Sequence, residues 1–101
     1  MIKMAQVDGI TMAAVFCDIC KKQIKELGLG TAVYCCLDAP TETAEVLHAH
    51  KGKCLDAAEE KLGGRKDTAW QELSSHITDM LLTTGVPRAK IIGLDLNGVI
   101  A

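Results

Sequence analysis

Apolar and polar positions alternate along this chain in blocks that predict short elements. Ile10 to Phe16 is apolar, contains β-branched residues and runs directly into a Cys-x-x-Cys, which predicts a strand. The chain turns around Gly28-Leu29-Gly30, and Thr31 to Leu37 then reads as a buried strand. Asp38-Ala39-Pro40-Thr41 is a turn signal, so Ala44 to His50 is expected to return as the partner strand of a hairpin. From Cys54 to Leu62 the apolar residues Leu55, Ala58 and Leu62 fall at helical spacing, with Gly63 suited to a left-handed C-terminal cap. A second helix is expected from a capping box, Thr68-x-x-Gln71. It carries an apolar stripe of Trp70, Leu73, Ile77, Met80 and Leu81, and it ends at Gly85 and Pro87. Trp70 is expected to anchor the core, and His76 beside the stripe to be partly buried. The tail from Ile91 to Ala101 alternates, with Ile92, Leu94 and Leu96 on one side, which predicts a final strand and a turn at Asn97-Gly98.

Gly63-Gly64 is the clearest punctuation, and no repeat or low-complexity tract interrupts the chain. The expectation is one α+β domain over residues 1–101, with a first half at 10–63 and a helix plus C-terminal strand at 65–101. Composition agrees: 49% of residues are apolar and 24% charged, with a net charge of −2 over 101 residues. That excludes a multidomain enzyme and a wholly disordered chain. No apolar run reaches the ~20 residues of a membrane span, and the start lacks the pattern of a secretion signal, so a cytoplasmic location is the default. Mild acidity disfavours duplex nucleic acid as a partner. The lysine groups, Lys21, Lys22 and Lys25 with Lys51 and Lys53, read as solvated faces.

The chemistry lies in the cysteines. The chain holds five of them against three aromatic residues, so its core has few of the side chains that bury most area. An odd number of cysteines without a secreted spacing points to metal or redox chemistry before structural disulfides. Cys17-Asp18-Ile19-Cys20 sets two thiols on a tight turn, and His50 and Cys54 follow downstream. If the later helix begins near His50, positions i and i+4 share one face. Three sulfurs and one imidazole, at ~2.3 and ~2.1 Å from the ion, make the tetrahedral set of a structural Zn²⁺ site. His48 lies one strand repeat before His50 and competes for its role. Cys35 and Cys36 are adjacent, so the simplest reading packs one inside and leaves the other at the surface, with a substitute ligand as the other possibility. Zn²⁺ with three thiolates carries a net −1, which Lys21, Lys22, Lys51 and Lys53 and the start of the helix would offset.

Phe16-Cys17-Asp18-Ile19-Cys20 together with His48 to Ala57 resembles a treble-clef zinc finger over residues 15–63. The resemblance implies a knuckle, a β-hairpin, and a helix whose start supplies the last two ligands. It implies a non-catalytic module that holds zinc through Cys17, Cys20, His50 and Cys54 and serves protein interaction or assembly. The C-terminal strand would offer an edge to a protein partner or a second copy. Two other readings compete: a thiol–disulfide or redox-sensing protein acting through Cys17 and Cys20, and a metal-dependent nuclease-like treble clef that enlists His48 and His50. No Ser-His-Asp pattern or phosphate-binding glycine loop is present.

Overall fold

The computed structural model describes residues 1–94, and the side chains of residues 1–92. Two antiparallel strands open the chain, β1 (Ile2–Val7) and β2 (Ile10–Val15), paired from Ile2↔Val15 to Val7↔Ile10. Asp8 and Gly9 join them at φ 51° and 80°, both left-handed. A two-residue loop of that kind is the turn whose twist matches a hairpin. Only β2 was expected. β1 lacks clean alternation, and the Asp-Gly pair between the strands was the signal that could have located it.

The knuckle, residues 17–20, follows β2. A second sheet then forms from β3 (Gly30–Cys35), β4 (Val46–His50) and β5 (Thr68–Glu72), in the order β4-β3-β5 and antiparallel throughout. Between β4 and β5 lies α1 (Lys53–Lys61); after β5 come α2 (Leu73–Thr83) and α3 (Arg88–Leu94). The described residues form a small α+β unit with two sheets and three α-helices. The expected hairpin of β3 and β4 and the first helix are present. No helix among the described residues is long and apolar enough to cross a membrane.

β3 is the central strand, and Thr31, Ala32 and Val33 on it are fully buried. His48 and Gly30 stand on one face of the sheet. The ring of His48 meets that of His76 in α2 edge-on, with centroids 5.4 Å apart. A Cβ added at Gly30 would lie 2.6 Å from Leu73 Cδ2 and 2.8 Å from Ile24 Cγ2, so only glycine lets α2 come this close. Alternation puts Val33 and Ala49 on the other face, where α1 packs on β3 and β4. Cys17, Ile24, Val33, Ala49, Ala58 and Leu73 form the core.

Two expectations on the second half are corrected. The capping box at Thr68 and Gln71 does not open a helix, because Thr68 to Glu72 pairs with β3 and the helix begins only at Leu73. β-Branched and aromatic residues beside an open strand edge outweigh a local capping pattern. Trp70 therefore stands on a strand, opposite Val33, and is 43% exposed, so it is not a core anchor. The end of α2 is as expected: Gly85 takes φ 94° and its N–H bonds to the carbonyl of Leu82. The C-terminal strand is corrected over Ile91 to Leu94, which belong to α3. Alternation over so few residues does not separate a strand from a short helix. Leu96 and the Asn97-Gly98 turn lie outside the described residues.

Candidate metal centre

Tight turns and strand ends position the four side chains singled out in the sequence. The knuckle is closed by its backbone: Cys17 N–H donates to the carbonyl of Lys22 at 2.9 Å, and Lys21 N–H to that of Cys17 at 3.1 Å. Lys21 takes φ 67°, the left-handed conformation in which glycine is at ease, and its Nζ donates to the Asp18 carbonyl at 2.8 Å. The N–H groups of Ile19 and Cys20 point at the Cys17 sulfur, 3.3 and 3.4 Å away. Donors aimed at a sulfur stabilise its charged form.

Asp18 pins this turn to the sheet. Its N–H donates to the His48 carbonyl at 2.7 Å, and its Oδ2 accepts the His48 N–H at 2.7 Å. Burial of the carboxyl is outweighed by that N–H and by the amino nitrogen of Met1, 3.0 Å from Oδ2, so Asp18 titrates below the usual carboxylate range. The Cys-x-x-Cys pattern by itself assigns Asp18 no role. Its contact with β4 sets the knuckle beside the end of that strand.

β4 ends at His50, and the chain swings through Gly52, at φ 89°, into α1 at Lys53. His50 is thus the last residue of the returning strand, as expected, and the helix starts three residues later rather than at His50 itself. Only Cys54 lies in the first helical turn. The outcome for the donor set is the same: single donor atoms of Cys17, Cys20, His50 and Cys54 lie within 4.8 Å of one another. His50 Nδ1 is 3.4 Å from the Cys20 sulfur. Cys17 is buried, Cys54 and His50 are half-buried, and Cys20 is exposed.

The electrostatics of the cluster are unbalanced without a cation. Burial disfavours charge on Cys17, yet the N–H groups of Cys20, His50 and Ile19 outweigh it and bring the thiol to about 6. Cys54 is pushed up to about 11, first by burial and then by the neighbouring sulfurs of Cys17 and Cys20. Crowded sulfurs cannot all ionise unaided, and a divalent cation removes that obstacle. The first turn of α1 adds positive potential at Cys54. Of the flanking lysines, Lys51 is engaged with Glu72 at 2.8 Å.

The rival donors stand elsewhere. His48 is 5% exposed, with Nδ1 2.9 Å from the Met1 nitrogen. Burial, with the Met1 amino group and His76 nearby, lowers its pKa to about 4. Cys35 is half-buried and donates to the Leu62 carbonyl at 3.3 Å, and Cys36 is exposed. His76 is half-buried, as expected, with Nδ1 3.0 Å from Gln71 Oε1.

Fold and site together define a small α+β chain carrying a three-cysteine, one-histidine cluster that could hold a metal ion. Comparison with protein-family models, curated proteins and solved structures finds no match.

Proposed function

We propose that this chain is a non-catalytic zinc-binding module, in which Cys17, Cys20, His50 and Cys54 hold a structural Zn²⁺ in a treble-clef-like arrangement. One observation carries the reading. Four donors of zinc-preferring chemistry, from segments thirty residues apart in sequence, reach one point within 4.8 Å. Soft thiolates with one imidazole suit Zn²⁺, and four protein ligands leave no open position for a reacting water. The ion's work is then cohesion: it ties the knuckle to β4 and α1, next to a core that contains Cys17 itself. Apparent zinc binding in small finger peptides is ~10–16 kcal/mol, comparable to a whole domain's net stability. Surfaces away from the site are left for protein partners or self-association.

Two observations favour this reading over its rivals. A thiol–disulfide enzyme sets its Cys-x-x-Cys at a helix N-terminus, whereas no helix follows Cys20 before Leu27. A nuclease-like site needs His48 in the cluster, and its ring is turned toward Met1 and His76. The test is elemental analysis of natively purified full chain together with its native mass. One zinc per chain, lost with denaturation by a chelator, is expected. A metal-free chain that folds identically with and without added zinc would overturn the proposal.

A further inference from the structure

Within the cluster one sulfur differs from the others in its access to solvent. Cys20 is exposed, while Cys17 is fully buried and Cys54 half-buried. An exposed sulfur with a second sulfur at hand to resolve it is the arrangement that reacts with peroxides. Two sulfurs are close enough to resolve Cys20. Cys17 accepts N–H bonds from Ile19 and Cys20 and would lose them by turning outward. Cys54, on the first turn of α1, holds no such bonds from the knuckle backbone and lies within 4.8 Å.

We infer that Cys20 is an oxidation site for hydroperoxides, closed by Cys54 into a disulfide that takes two of the four donors and expels the metal ion. The first step breaks the O–O bond of hydrogen peroxide. The Cys20 thiolate gives two electrons to one oxygen, forming an S–O bond, and hydroxide leaves. Cys54, a thiolate when it ligates the ion, then attacks the Cys20 sulfur, forming S–S while the S–O bond breaks and a second hydroxide leaves. In sum, two thiolates and one hydrogen peroxide give one disulfide and two hydroxides. Cys17 and His50 alone do not complete a four-ligand set, so the ion departs. The new bond joins the knuckle to α1, the two elements that the ion had joined, and a thiol reductant restores the site.

Metal release rests on the zinc-binding reading, whereas the order of sulfur reactivity does not. Zinc-loaded full chain is therefore treated with hydrogen peroxide, with zinc followed by a chromogenic chelator, free thiols counted and peptides mapped by mass spectrometry. The expected result is one zinc released for each two thiols lost, a Cys20–Cys54 cross-link, reversal by dithiothreitol, and no change in Cys36→Ser. Retention of zinc in excess peroxide, or a Cys17–Cys20 cross-link, overturns the proposal. A parallel arm treats metal-free chain with limiting peroxide and a sulfenate-trapping dione. Trapping at Cys20 ahead of Cys36, which is also exposed, supports the proposal even if the chain takes up no zinc, and trapping first at Cys36 refutes it.

Discussion

β3 and β1 are both six-residue strands paired in antiparallel ladders, yet they belong to different physical worlds. β3 has a strand on each side and a helix over each face, and Thr31, Ala32 and Val33 are shut off from solvent. β1 has only β2, and the hairpin packs chiefly on itself, leaving Ile2 at 56%, Met4 at 65% and Ile10 at 63% exposure. A two-stranded hairpin alone is marginal in water, so what retains this one is its attachment to the knuckle. That attachment includes the Phe16–Gln23 bridge, the bond from Ile24 N–H to the Val15 carbonyl at 2.8 Å, the Met1 amino group 3.0 Å from Asp18 Oδ2, and Val15 packed against the core. The lesson is that burial is conferred by neighbours and not by apolar content, since the hairpin's residues are as apolar as those of the sheet.

The largest effect should come from the cluster that could hold a metal ion. Cys54→Ser is expected to cut metal affinity well beyond the ~10–100-fold that loss of an outer-shell partner costs, and to unfold much of the knuckle and α1. Cys35→Ser removes only a weak thiol bond to the Leu62 carbonyl and should leave metal uptake intact. Metal titration followed by circular dichroism reads both, and equal behaviour of the two variants would mean that the ligand set is misassigned.

A smaller effect tests the contrast between strands and helices inside and outside the core. Leu73 is 1% exposed and packs where α2 meets Gly30 and Ile24. Leu73→Ala in metal-loaded protein should cost ~2–5 kcal/mol by urea denaturation. Met4→Ala, at 65% exposure, should stay within ~0.5 kcal/mol. If Met4→Ala costs as much as Leu73→Ala, the hairpin is covered in solution and the contrast collapses.

How far the sequence revealed this arrangement depended on where the deciding force lay. β2, β3, β4 and α1 were legible because strand and helix periodicity, turn residues and the Gly63 cap are local. The donor set was legible because the Cys-x-x-Cys and the His50 and Cys54 pair carry their chemistry in residue type and spacing. What escaped depended on distant partners. Asp18 looks like a spacer until β4 brings the His48 backbone to it. Thr68 to Glu72 reads as a capped helix until the free edge of β3 recruits it as a strand. β1 escaped because neither of its faces is buried, so no alternation marks it, and the Asp8-Gly9 turn was the remaining clue.

Trp70 provides the finest test, because it stands between the two regimes: on the inner sheet, but at its outer strand. A tryptophan on the core side of an amphipathic helix would be enclosed, and its replacement by alanine would cost ~3–5 kcal/mol. On β5 it lies opposite Val33 and is 43% open to water. Trp70→Ala should therefore cost only about 1 kcal/mol, since a partial burial returns a fraction of the ~1.5–3 kcal/mol of a large side chain fully enclosed. As the chain's one tryptophan, it also reports on itself. Its emission should be that of a partly hydrated indole, quenchable by added iodide in the folded, metal-loaded protein. A blue-shifted, unquenched emission with a penalty near that of Leu73→Ala would put Trp70 in the interior and undo the assignment of β5 as an open edge.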